Sequence, residues 1–454
     1  MAVTEPIGTD ELQALAKRHL WMHFTRMSAF EEREVPIIVR GEGSHVYDQH
    51  GTRYLDGLAA LFCVNAGHGR EELAEAGARQ ARQLAFFTNW SYAHPTSIQL
   101  AAKVAELAPP NLNRVFFTSG GSEAVESALK LARQYHKVTG NSGRYKAISR
   151  NLAYHGTTMG ALSVTGISEA RRPFEPLFPG SCHVPNTNPY RPESDDPAEA
   201  IRERILFEGP ETVSAVILEP VQNSGGCLVP PEGYWTRVRE ICDEFGILLI
   251  SDEVICSWGR LGEWFGATRL GYEPDIITTA KGLTSAYAPM GAVIAHDKVF
   301  EPFAHGEASF DHGITFGGHP VSAAVALANI EVFEREDLNG RVREHEGAFK
   351  AMLDSLRDIP IVGDVRGMGY FHAIELVKDQ ETKEEFTQEE GDHLLDDYLS
   401  NELFRRGLIC RADDRGDPVV QLSPPLVAGP EEFAEMESVL RPALEGAARR
   451  VGLA

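Results

Sequence analysis

The sequence predicts an α/β fold: a large domain built on a mostly parallel sheet, joined by a smaller α+β domain made from both chain ends. The first observation behind this is a series of short apolar runs, from about Arg114 onwards, alternating with segments of helical periodicity, the pattern of a parallel sheet covered by helices. The second is that this pattern is bracketed, with alternating apolar and polar residues around glycine turns before it and long helical segments after it. The third is size, since 454 residues of 43% hydrophobic composition fill a large core and leave a second unit over. The expected boundaries are residues 66–324 for the large domain, with residues 1–65 and 325–454 forming the small one.

Taken in order, Glu11 to Arg26 reads as a helix after a polar start, and IIVRGEGSHVYDQHGTRYLDG, from Ile37, reads as a small meander of strands. RVFFTS, from Arg114, is the next strand, and Glu123 to His136 the helix behind it. AVILEP beside Ser214, GILLIS from Gly246, DIITTA after Pro274 and GAVIA from Gly291 are further strands of the same sheet. The stretch PNTNPYRPESDDP, residues 185–197, is a loop by its proline and asparagine content. Beyond about Val321 come long helical segments, the apolar stretch YFHAIELV and a terminal helix beginning near Pro430.

Composition narrows the partners. A formal net charge of −23 repels polyanions, which argues against nucleic acid and anionic membrane surfaces. The cysteines, at 63, 182, 227, 242, 256 and 410, are scattered with no CxxC pair, so neither a disulfide framework nor a cysteine zinc site is expected. No His or Asp cluster points to a metal. With an acidic start and no apolar run approaching ~18 residues, the expected location is the cytoplasm.

Three segments carry chemistry. In FFTSGGSEA, from Phe116 to Ala124, a strand ends in a glycine turn that opens an amphipathic helix, with Ala124, Ala128, Leu131, Ala132 and Tyr135 on one face. This places backbone N–H groups and the Ser122 hydroxyl at a helix N-terminus, where a phosphate satisfies orphan donors and meets a favourable dipole. Read alone, Ser122 is equally an ordinary helix cap. GILLISDEV, from Gly246 to Val254, is a buried strand delivering Asp252 and Glu253 at its C-terminal end, which in open α/β sheets faces the ligand crevice. An ATPase strand has the same shape, but it needs a Gly-Lys-Ser/Thr loop, and the dipeptide Gly-Lys occurs nowhere in the chain. PDIITTAKG, from Pro274, is another apolar strand, ending on Lys281, which alone would be read as a lysine reaching to solvent. Together the segments supply what pyridoxal phosphate needs: a phosphate cradle, an amine to form an imine, and an acid to hold the proton of the pyridine nitrogen. Asp252 is then the acid, and Lys281 both the amine and the base that moves the substrate proton.

LLISDEVICSWGRLGEWFG, running into PDIITTAKGL, closely resembles the signature of class III (subgroup II) aminotransferases, fold-type I enzymes that include the omega-amino-acid:pyruvate transaminases. The resemblance extends from about His23 to the C-terminus. It implies that Lys281 is the Schiff-base lysine, that Asp252 is the pyridinium acid, and that Val254 packs against one face of the cofactor ring while Tyr154 stacks on the other. Gly121 and Ser122 match the phosphate cup, although Gly120 stands where many relatives have serine, which leaves one cup hydroxyl out. Glu219 of ILEPVQ matches an acid near the cofactor. Thr315 of ITFGGHP matches a threonine that reaches the phosphate in the neighbouring subunit, so a homodimer with shared active sites is implied.

The implied reaction is ping-pong transfer of an amino group from an omega-amino acid or primary amine to a keto acid, expected to be pyruvate. Arg411, in LICRA, matches the mobile arginine that binds the substrate carboxylate, a role suited to a planar fork of donors. The following Asp413 and Asp414 are acidic enough to satisfy it, and the loop is longer than in typical relatives, so Arg415 is a rival. Phe24, Phe62 and Trp90 fall where relatives line the substrate pocket with aromatics. Arg366 is read as structural. Two other classes compete: a racemase or aminomutase of the same fold, and a ligand-sensing regulator, which would carry a DNA-binding segment ahead of the fold.

Overall fold

The computed structural model of the chain describes residues 8–413 and 415–453; the first seven residues, Asp414 and Ala454 lie outside them. Near the N-terminus β1 (Ile38–Glu42), β2 (His45–Asp48) and β3 (Arg53–Asp56) pair as an antiparallel meander. The central strands are β4 (Arg114–Thr118), β5 (Lys146–Arg150), β6 (Ser181–Val184), β7 (Val213–Leu218), β8 (Leu248–Asp252), β9 (Ile276–Thr279) and β10 (Gly291–Ala295). Towards the C-terminus come β11 (Val362–Met368), β12 (Phe371–Leu376), β13 (Leu408–Ile409), β14 (Arg411–Asp413) and β15 (Val419–Leu422).

The central sheet has seven strands in the order β4-β10-β9-β8-β7-β5-β6. The pairings from β9 through β8, β7 and β5 to β6 are parallel, whereas β10 runs antiparallel to both its neighbours. GAVIA is thus the reversed strand of a mostly parallel sheet. β13 pairs in parallel with β3, Leu408 opposite Leu55, so one small sheet is assembled from both chain ends. The remaining sheet, β11-β12-β15-β14, is antiparallel throughout.

Every residue of β7, β8 and β10 is buried, which is why these strands read as unbroken apolar runs and not as alternating ones. Alternate side chains still go to opposite faces. Val293 and Ala295 of β10 join Ile217, Ile250 and the apolar stripe Ala124, Ala128, Leu131 and Ala132 of the helix Gly121–Val138, whereas Ala292 and Ile294 join Trp258, Ile277 and Phe333 on the other side. Each such valine, leucine or isoleucine side chain contributes roughly 1.5–3 kcal/mol by leaving water. Truncating Ile250 to alanine would cost about 2–5 kcal/mol, because a cavity would open between sheet and helix.

The N-terminal helix is shorter than its sequence predicts, covering Thr9–His19 and not reaching Arg26. Leu20 is extended and Phe24 has a positive φ of 52°, while Leu20, Trp21 and Phe24 are exposed. Because Leu20, Trp21 and Phe24 are exposed among the described residues, continuing the helix past His19 would bury none of them. The terminal helix starts at Pro430, as expected, and runs to Arg450. No helix among the described residues is long and apolar enough to cross a membrane.

Candidate active site

The central sheet delivers its chemistry at one edge. β4, β5, β7 and β8 run in the same direction, so the residues after their C-terminal ends converge: Gly121 and Ser122 after β4, Tyr154 and His155 after β5, Glu219 after β7, and Asp252 at the end of β8. Lys281 follows β9. A cavity of about 150 Å³ is lined by Gly121, Ser122, Tyr154, His155, Gly156, Glu219, Asp252, Val254, Ile255 and Lys281. Seven of the residues singled out in the sequence thereby meet in one place, although they lie up to 160 positions apart (121 to 281).

Asp252 is buried and fully engaged. Its Oδ2 lies 2.7 Å from His155 Nδ1, and its Oδ1 accepts from Thr278 Oγ1 at 3.1 Å and from the Val254 N–H at 3.2 Å. Glu219 is buried beside it, accepting from the backbone N–H groups of Tyr154 (3.2 Å) and Asn223 (3.0 Å). Burial pushes the Glu219 carboxyl above its usual range and the Asp252 charge adds to this, against His155 and Arg150. Burial also lowers the Lys281 ammonium from its ordinary value, with Arg411 adding and Cys63, Asp252 and Glu219 opposing. An amine so placed is more readily neutral, and so more available as a nucleophile or proton acceptor, than that of a surface lysine.

Lys281 has a φ of +39°, a left-handed conformation that a lysine rarely adopts, and its Nζ lies 5.8 Å from the centre of the Phe62 ring. Phe62 is buried, in a segment where Ala59, Ala60 and Phe62 all have positive φ. Such backbone is held in place by its surroundings and clusters at functional sites.

The glycine turn is sterically required. A Cβ on Gly121 would stand 2.9 Å from Val254 Cγ1, and one on Gly156, at φ +129°, would stand 2.4 Å from Ser122 Oγ. The helix Gly121–Val138 has no side-chain cap at its start, and Ser122 Oγ instead accepts from the Thr157 N–H at 3.1 Å. Its first N–H groups are therefore left without an intrahelical acceptor beside the cavity that Gly121 and Ser122 line.

Other expected residues lie elsewhere in the single chain. Thr315 is exposed and outside this cavity. Trp90, 58% exposed, lines a second, open cavity of about 970 Å³ with Gly313 and Ile314. Phe24 is 75% exposed, and its ring lies 5.6 Å from the Arg415 guanidinium, which is also 5.9 Å from the Tyr154 ring. Arg411 opens β14 opposite Gln421, and its charge is felt at both Tyr154 and Lys281. Asp414, read as a neighbour of Arg411, is outside the described residues. Arg366 is buried against the Gly225 and Gly226 carbonyls and Glu375. His155 and Thr278, the partners of Asp252, escape sequence reasoning; the one signal was that His155 follows Tyr154.

Comparison with known proteins fits this geometry. The family model for aminotransferase class-III matches residues 27–444, and the chain belongs to that family. It is an enzyme that transfers amino groups between amines and keto acids with pyridoxal phosphate. Among its relatives are the probable aminotransferase Rv3329 of Mycobacterium tuberculosis, 56% identical over 98% of this chain and 97% of that protein. The putrescine–pyruvate aminotransferase of Pseudomonas aeruginosa is 39% identical over 98% of each. The crystal structure of an (S)-enantioselective omega-transaminase from Thermomicrobium roseum superposes with a TM-score of 0.94 at 39% identity, covering 98% of this chain and 100% of that one.

The residues present suit the cofactor. An uncapped helix start flanked by two glycines that tolerate no Cβ could hold a phosphate, and Asp252, braced by His155, could serve as the acid for a pyridinium. Lys281, half-buried, could supply the amine.

Proposed function

We propose that the enzyme moves an amino group from an omega-amino acid or primary amine to pyruvate, with Lys281 and Asp252 as catalytic residues. The observation that carries this is that one cavity is lined by a half-buried amine of lowered pKa, a braced carboxylate and the first residues of a helix. Pyridoxal phosphate, when bound, supplies the sink for the electron pair left when the substrate carbon loses its proton. Lys281 Nζ takes that proton and returns it, and burial keeps the amine neutral enough to do so. Asp252 holds the proton of the ring nitrogen, and His155 fixes the direction of its carboxylate. Ser122 Oγ and the first N–H groups of its helix hold the phosphate. Tyr154 and Val254 bound the two ring faces, and Glu219 orders the turn that bears Tyr154.

Thr315 and Trp90 stand apart from this cavity in one chain, and we assign them to a homodimer in which each subunit completes the other's site. Arg411 binds the substrate carboxylate, with Phe62, Phe24 and Trp90 providing apolar walls. Six unpaired cysteines suit the reducing cytoplasm. Pyruvate as acceptor is supported by the relatives named putrescine–pyruvate and taurine–pyruvate aminotransferases. A panel of amino donors, run against pyruvate and 2-oxoglutarate with alanine and glutamate as readouts, tests the proposal. Glutamate without alanine, or product formation without a keto-acid acceptor, would overturn it.

A further inference from the structure

The loop between β14, which opens with Arg411, and β15 carries Arg415, and its far end is tied to a part of the chain remote in sequence. Asp417 Oδ1 lies 3.2 Å from Arg191 Nε. Arg191 belongs to the loop between β6 and the helix Pro197–Glu208, and its head is already immobilised: Nε donates to Glu375 Oε1 of β12 at 2.7 Å, and Nη1 to the Lys383 carbonyl at 2.8 Å and Glu385 Oε1 at 3.0 Å. Glu375, fully buried, also receives Arg366 Nη1 at 2.5 Å. Asp417 therefore meets a fixed cation and not a free surface arginine. Next to it Gly416 has a φ of +117°, and a Cβ there would stand 2.9 Å from Leu152 Cδ1, so the loop lies on Leu152, two positions before Tyr154. One residue further back, the Arg415 guanidinium lies 5.9 Å from the Tyr154 ring.

We propose that Asp417 is a positioning residue, whose ion pair with Arg191 sets the place of the loop that follows the strand of Arg411 and brings Arg415 beside it at the carboxylate of an acidic substrate. This rests on the assignment of that loop to carboxylate binding. The consequence is a selectivity that acid can relax. Around Asp417, Glu375 and Glu385 share Arg191 with it, Arg366 and Asp364 lie behind Glu375, and Arg415 precedes it in the loop itself. Carboxylates thus crowd the guanidinium groups. Burial, and after it the charge of Glu375, pushes the Asp417 carboxyl up to about 6, against Arg191. The anchor is charged at pH 8 and loses its charge as the pH falls through about 6.

The variant to make is Asp417→Asn, since replacing Arg191 would strand the buried Glu375 and damage the fold. With the holoenzyme and 1-phenylethylamine as donor, the KM of pyruvate is compared with that of benzaldehyde, an uncharged acceptor, from about pH 5 to about pH 8. Taking the ratio cancels titrations common to both acceptors. In the wild type the ratio rises about three- to tenfold on acidification through the Asp417 transition; in the variant it is raised by a similar factor at every pH and is flat. Hydrogen exchange of the peptide spanning residues 411–418, expressed as protection relative to the intrinsic rate at each pH, reads the anchor without turnover, and protection falls in the variant at pH 8 and in the wild type below pH 6. Unchanged protection, or an equal loss with both acceptors, overturns the anchor. Lower protection in an enzyme that does not use pyruvate would keep the anchor and overturn the assignment of the substrate. Should the variant not fold, the wild-type pH series in both readouts decides the matter alone.

Discussion

His155 Nδ1 lies 2.7 Å from Asp252 Oδ2, with the imidazole fully buried and the carboxylate nearly so, joining the turn after β5 to the end of β8. The bond fixes which way the carboxylate points and which ring nitrogen carries a proton. Replacing His155 by phenylalanine keeps the volume and removes the bond. Cofactor should still bind, but the single-turnover rate with an amine donor should fall by about 10-fold or more. A fall in thermal stability with an unchanged rate would make His155 a packing residue only.

Lys281→Ala should leave a folded protein that binds cofactor and does not turn over. Borohydride reduction of the wild-type holoenzyme, followed by peptide mapping, should place the label on Lys281; a label on another lysine sinks the assignment.

Asp252→Asn should slow the half-reaction by about 100-fold or more, because an amide cannot stabilise a protonated ring nitrogen. Its cofactor content should change far less. Near wild-type turnover with stoichiometric cofactor would mean that another acid serves the ring.

Gly156→Ala places a methyl group where Ser122 Oγ now sits, at a φ of +129° that disfavours any side chain. The strain is about 1–3 kcal/mol and falls on the phosphate cradle. Cofactor affinity, measured by titrating the apoenzyme, should weaken by about 10-fold; an unaltered affinity would show that the cradle lies elsewhere.

Arg411→Ala should raise the KM for pyruvate and amino-acid donors by roughly 10–150-fold, the loss of one charge-assisted contact. The half-reaction with an uncharged primary amine should be nearly untouched. Equal damage to both steps would mark a structural arginine, and damage to neither would move the assignment to Arg415.

Strands such as GILLIS and DIITTA, the helix behind the glycine turn and the residues Ser122, Asp252 and Lys281 were legible in the sequence because each depends on local rules. Apolar runs form buried strands, glycine permits a tight turn, and an acid or amine at the end of a strand faces a crevice. Family resemblance added Tyr154, Val254, Glu219 and the expectation for Thr315. What only the tertiary structure decided are relations between segments distant in the chain. The reversal of β10, the joining of β13 to β3 and the pairing of His155 with Asp252 depend on which surfaces remain to be covered once the sheet has formed. The end of the first helix at His19 has the same origin, since Leu20, Trp21 and Phe24 stay exposed among the described residues. The anchoring of Asp417 by Arg191 has no local sequence signal, because an ion pair across 226 positions (191 to 417) is a product of the sheet order that brings β12 and β15 side by side.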